Sequence, residues 1–120
     1  MIRRTARDRG YDTKWDKARA RYLAANPICC GCRAQGRQDH STVVDHIVPH
    51  KGDRSLFWSS YNWQPSCDWH HNAVKAKLET MYLKGLIPAS DLRLNSPKAI
   101  AVANSTRRIA AIGEDGWPVA

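Results

Sequence analysis

The amino-acid sequence predicts a small α+β domain, in which a short hairpin lies between helices and is braced by a metal-binding knuckle. Three observations lead there. Residues 41–48, Ser-Thr-Val-Val-Asp-His-Ile-Val, form a β-branched run bounded by Pro49 and Gly52, which reads as a strand entering a loop. Apolar side chains recur at helical spacing on both sides of that run, over 15–25 and again over 69–82. Two turns of matched spacing, Cys29-x-x-Cys32 and Cys67-x-x-His70, bracket it. The 120 residues suffice for one domain, since a domain typically takes roughly 100–200. A barrel or a two-lobed dinucleotide enzyme is thereby excluded.

The elements follow in chain order. Thr13 and Asp16 stand at capping-box spacing, and Trp15, Ala18, Tyr22, Leu23 and Ala25 carry a first helix that Asn26-Pro27 ends. Residues 27–32 are too short and turn-rich for a helix or strand, and are expected to form a tight knuckle presenting sulfurs. Leu56-Phe57-Trp58 and Tyr61-Asn62-Trp63 are aromatic islands without a clean period, expected in a loop that folds back on the strand. A shorter second strand fits near 62–64. From Asp68 or Trp69, Val74, Leu78, Met81 and Tyr82 share one face of a second helix, with Lys75, Lys77 and Glu79 on others and Gly85 as its stop. Ser96-Pro97 is a cap followed by a first-turn proline, so 97–103 is expected to be a short helix. The organisation expected is a basic arm and helix over 1–26, a core over 27–85 and an extension over 86–120.

Charge adds a partner class. The chain carries 19 Lys+Arg against 11 Asp+Glu, a net +8, with a pI near 9.7. Residues 1–54 hold 12 Lys/Arg against 6 Asp, and residues 55–120 hold 7 against 5, so the excess is N-terminal. Arg3, Arg4, Arg7 and Arg9 form an arm that a polyanion such as DNA would neutralise; a solvated basic terminus with no partner has the same composition. Mean hydropathy is -0.57, without a run of the ~18 apolar residues that a membrane span requires. The basic start leads into more charge rather than an apolar stretch, so no secretory leader is expected. The four cysteines are then expected in a reducing cytoplasm, where metal binding outranks disulfides.

Cys29, Cys32, Cys67 and His70 offer four sulfur or nitrogen donors from two face-to-face turns, a set suited to tetrahedral zinc. Otherwise they are ordinary buried thiols and a surface imidazole. Cys30 is read as a bystander, because Cys-x-Cys is a less usual ligand spacing. Zinc does not explain Asp45-His46, Asn62 or His71, which lie among and just after those donors. An acidic residue and a histidine at a strand end, an asparagine some way on and a histidine opening a helix form a second constellation.

Between Pro27 and Lys75 the chain resembles the HNH endonucleases of the compact type found in tailed phages and prophages. The resemblance is carried by Val44-Asp45-His46-Ile47-Val48-Pro49-His50-Lys51-Gly52-Asp53, Leu56-Phe57-Trp58, Asn62-Trp63-Gln64-Pro65-Ser66-Cys67 and His70-His71. The chain departs from it at His70, where the family usually has cysteine, while keeping the donor count. The resemblance implies a ββα-metal (His-Me finger) fold with one catalytic divalent ion, such as Mg²⁺, Mn²⁺, Ni²⁺ or Zn²⁺, beside a structural zinc. It implies His46 as general base, Asp45 and His71 as holders of the catalytic ion, and Asn62 as the residue that steadies hairpin and base.

The chemistry agrees with those roles. A histidine of ordinary pKa ~6.5 suits proton abstraction near neutrality, and a divalent ion offsets the charge gathering on a phosphodiester in its transition state. Asn62 can accept a hydrogen bond from one imidazole nitrogen and so fix its tautomer, or it can serve only the loop backbone. Lys75, four residues after His71, can touch a phosphate or remain a solvated helix lysine. Phe57, Trp58 and Trp63 are expected to be core rather than base-stacking platforms. The expected activity is metal-dependent hydrolysis of DNA, in phage DNA processing or packaging. The alternative is a non-catalytic zinc-knuckle protein that binds DNA or assists a terminase or portal.

Overall fold

The computed structural model describes residues 12–108. The arm carrying Arg3, Arg4, Arg7 and Arg9 lies outside the described residues. Helix α1 spans Asp12–Ala25, so Thr13 lies within the helix rather than capping it. Its contacts recur at helical spacing: Trp15 meets the rings of the hairpin, Arg19 donates to the Thr42 carbonyl at 3.0 Å, and the Tyr22 hydroxyl donates to the Trp63 carbonyl at 3.2 Å. The knuckle contains a turn of helix that its sequence does not suggest, α2 over Cys30–Ala34, because the Cys29 sulfur caps it by accepting from the Cys32 amide at 3.4 Å.

Strand β1, Val43–His46, pairs antiparallel with β2, Trp63–Ser66, in a two-stranded sheet that sets Asp45 opposite Gln64 and His46 opposite Trp63. The second strand forms as expected but runs further toward Cys67. The first aromatic island is a helix rather than a loop: Asp53 accepts from the amides of Ser55 and Leu56 and so caps α3, Arg54–Trp58.

The chain is helical again from residue 68. A π-helical turn over His70–Lys75 leads into α4, Ala76–Leu83. Gly85 then takes a positive φ of 74°, its amide donates to the Tyr82 carbonyl at 3.0 Å, and the Leu86 amide donates to the Met81 carbonyl at 2.9 Å. Those two bonds are a Schellman stop, and glycine takes that φ without a Cβ penalty. Helix α5, Pro97–Ser105, is capped by Ser96, whose hydroxyl accepts from the Ala99 amide at 3.0 Å.

The main core joins the hairpin, the π turn and the C-terminal segment: Ile47, Val74, Leu78, Leu92, Leu94 and Val102 are all buried. Leu92, Leu94, Ala99, Val102 and Ala103, in the segment read as an extension, therefore pack within the same core as the hairpin. Gln64 stitches them together, accepting from the Leu94 amide at 2.9 Å and donating to the Leu92 carbonyl at 3.1 Å. Among the described residues no helix is long and apolar enough to cross a membrane.

Candidate metal centre and candidate active site

The first site is the knuckle. Cys29, Cys32, Cys67 and His70 are buried, and their ligand atoms lie within 4.8 Å of one another. The Cys32 and Cys67 sulfurs are 3.7 Å apart, and each is 3.4 Å from His70 Nδ1. A tetrahedral zinc with ordinary bond lengths has S–S edges of about 3.8 Å and S–N edges of about 3.6 Å, so Cys32, Cys67 and His70 already stand at its edge lengths, with Cys29 within 4.8 Å of them as the fourth donor. Cys30 points elsewhere, toward the Gln64 side-chain oxygen at 3.6 Å. Packed this closely, the thiols oppose one another's ionisation. Burial and the neighbouring Cys67 push Cys32 up to about 11; donation to Cys29, with burial, pushes Cys67 up to about 11, and the same hydrogen bond, against burial, holds Cys29 below the ordinary thiol range. A cation at the centre favours the thiolates and reverses that opposition.

Gly31 is required by close approach. A Cβ there would stand 2.3 Å from His70 Cδ2 and 2.6 Å from Nε2, inside van der Waals contact with a buried ring. Gly31→Ala is expected to displace His70 from the cluster and lower the zinc bound per chain, measured by elemental analysis after dialysis. Parental zinc content in that variant would show that the ring can yield.

The second site sits where β1 ends. Successive strand residues face opposite sides, so Asp45 turns toward the π turn and His46 toward α1. Asp45 is 2 % exposed and fully engaged: Oδ1 is 2.8 Å from His71 Nδ1, and Oδ2 accepts from Gln64 at 2.8 Å and from Lys75 at 3.1 Å. Burial alone would raise its carboxyl, yet the His71 hydrogen bond, the Lys75 charge and Gln64 hold it below the usual carboxylate range. The same hydrogen bond raises His71 above the ordinary imidazole value. Adjacent ligands of an octahedral ion stand about 2.9 Å apart, so a cation can take the place of the proton that Asp45 and His71 share.

His46 is held differently from the expectation. Asn62 does not touch the imidazole; its side chain accepts from the Val48 amide at 2.9 Å and donates to the carbonyls of Val48 at 2.9 Å and Leu56 at 3.3 Å. It clamps the loop after β1, the backbone role that its position also allowed. The partner of His46 Nε2 is the Phe57 carbonyl at 3.0 Å. A carbonyl only accepts, so Nε2 carries a proton and Nδ1 keeps its lone pair in the neutral ring. Burial, with His50 nearby, lowers the His46 pKa and favours that neutral form.

Lys75 corrects the sequence reading outright. It is 0 % exposed, and its three N–H groups have three acceptors: the His46 carbonyl at 2.8 Å, Asp45 Oδ2 at 3.1 Å and Glu79 Oε2 at 3.1 Å. It is neither a solvated lysine nor a phosphate contact, because the buried Asp45 carboxylate demands a counter-charge. A cleft of about 320 Å³ opens beside these residues, lined among others by Asp45, His46, His50, Lys51, His71 and Glu79. A larger hollow of about 430 Å³, beside Ile28, Arg33 and Asn95, holds no carboxylate or imidazole, so size alone does not mark the site.

The described chain is thus a small α+β domain with a buried Cys₃His cluster that can hold a metal ion and an Asp–His–His cleft. Comparison with protein-family models, curated proteins and solved structures finds no match.

Proposed function

We propose that the protein is a metal-dependent DNA endonuclease of the HNH type, with β1, β2 and residues 68–83 as its ββα-metal core and a structural zinc in the knuckle. The observation that carries this reading is the convergence of three groups on one open cleft: His46 with Nδ1 unprotonated, and the Asp45–His71 pair spaced for a divalent ion. His46 takes the proton from an attacking water through Nδ1, while the Phe57 carbonyl holds Nε2–H and fixes the ring's direction. Asp45 and His71 hold the catalytic cation, which supplies Lewis-acid stabilisation of the charge that develops on the phosphate. Lys75 keeps Asp45 ionised. Lys51, exposed on the cleft wall, replaces Lys75 as the side chain suited to meet a DNA phosphate, with the arm of Arg3, Arg4, Arg7 and Arg9 adding sequence-independent grip. The products would be 5′-phosphate and 3′-hydroxyl ends.

Supercoiled plasmid with Mg²⁺, Mn²⁺ or Ni²⁺ tests the proposal. The parental protein is expected to give nicked or linear DNA, and His46→Ala to slow cleavage by at least about 100-fold, the usual weight of a general base, while its zinc content stays the same. Cleavage by His46→Ala at the parental rate would overturn the assignment. Tight DNA binding without cleavage under any divalent ion would favour the DNA-binding or terminase-accessory alternative.

A further inference from the structure

The His46 imidazole does not rest on its own strand alone. One face lies against a shallow V formed by Trp15 of α1 and Phe57 of α3. The Trp15 and His46 rings are 5.5 Å apart at 25°, the Phe57 and His46 rings 4.8 Å apart at 29°, and Trp15 meets Phe57 at 4.6 Å with 53° between their planes. Trp15 also stands edge-on to Trp63 at 5.3 Å and to Trp58 at 5.7 Å. Trp63 in turn donates its indole N–H at 2.8 Å to the Phe57 carbonyl that receives His46 Nε2–H. One indole therefore touches the imidazole, the ring beside it and the residue that pins its hydrogen-bond acceptor. Such aromatic pairs stabilise their geometry beyond the area they bury, and together they bias the ring between rotamers. Helix α1 lies outside the residues that resemble the nuclease family.

We infer that Trp15 is a positioning residue for His46: it holds the imidazole in the one orientation that gives Nε2–H to Phe57 and turns Nδ1 to the cleft. This rests on the reading of His46 as the general base. Without the indole the ring can rotate about its last bond, lose the carbonyl and divide itself between tautomers. Near-attack geometry is sensitive to such displacements, a shift of 1 Å costing on the order of 100-fold in rate.

The full chain carrying Trp15→Ala, Trp15→Leu or Trp15→Phe tests this, each variant checked for zinc content and cooperative unfolding. Nitrogen-15 correlation spectra of the neutral His46 ring report its tautomer directly. The parental protein and Trp15→Phe are expected to show Nε2–H alone, and Trp15→Leu and Trp15→Ala a mixture. On supercoiled plasmid with Mn²⁺, kcat in those last two should fall about 10- to 100-fold with KM unchanged. If Trp15→Ala fails to fold, the Phe and Leu variants, both bulky and apolar, decide between a planar ring and mere bulk. Parental tautomer and parental kcat in Trp15→Leu would overturn the inference. Failure of the parental protein to cleave would overturn the endonuclease reading instead, and the tautomer comparison would still decide the role of Trp15.

Discussion

Stripping the ion from the Cys29–Cys32–Cys67–His70 cluster is expected to abolish cooperative unfolding of the domain. A structural zinc is worth on the order of 10–16 kcal/mol of apparent binding energy, whereas a whole domain is stable by only about 5–15 kcal/mol. The second hydrophobic cluster shows how little would remain in the knuckle: its buried members are Cys29, Cys32 and Cys67, with Trp69 packed against them. Without the ion these three sulfurs are a buried, mutually opposed set. Chelation, or Cys67→Ser, should therefore release one zinc per chain and flatten the thermal transition followed by circular dichroism. Cys30→Ser, outside the cluster, should change neither. Because the donors would bind as thiolates, acidification should release the ion and alkaline conditions should retain it. A chelated protein that still melts cooperatively at the parental temperature would remove the cluster from the stability account.

Lys75→Met is expected to destabilise the domain by about 3–5 kcal/mol, the cost of breaking a buried ion pair by removing one partner. The variant keeps much of the volume, so the loss reports charge rather than a cavity. Asp45 would keep its His71 and Gln64 bonds but lose the ammonium, the His46 carbonyl would lose a donor, and Glu79 would lose its partner. The pH dependence carries a sign. Asp45 is held below the 3.8 of an ordinary aspartate, so its contribution to stability is present above that value and is lost as pH falls through the lower folded value. Removing Lys75 takes away part of what opposes burial, and the acid limb of unfolding should move to higher pH. His71, raised above 6.5, contributes fully below that value, and its contribution fades as pH rises through the higher folded value. Denaturant unfolding of parent and variant between pH 3 and 8 measures both effects. Equal midpoints at every pH would show that the ammonium is dispensable.

The metal knuckle could be anticipated because its information is local: two short turns with the same spacing can meet only in a few ways. The hairpin likewise announced itself through β-branched residues and flanking turn formers, and Gly85 and Ser96 marked helix ends by rules that involve only near neighbours. What escaped was non-local. Lys75 has the i,i+4 spacing to His71 and Glu79 of a surface helix lysine, and nothing near it in sequence reveals that Asp45, 30 residues earlier, lies buried against it. The acceptor for His46 is a backbone carbonyl, which has no sequence signature, and so Asn62 was the natural side chain to expect there. Trp15 is an ordinary apolar position until the chain brings it to the hairpin. Leu92 and Leu94 lie in a stretch too short for a period, so their membership of the core became visible only through packing.

His70 and His71 are consecutive, yet the first serves the buried sulfur cluster and the second the open cleft. They sit at the start of the π-helical turn, whose wide i→i+5 winding also carries Lys75 beneath Asp45. The two centres are therefore not separable parts. A graft of the cleft onto another scaffold would have to bring the knuckle with it, and deleting one residue within 70–75 would disturb both centres at once. Either centre can be retuned by changing its own side chains, but the two can be relocated only as a pair.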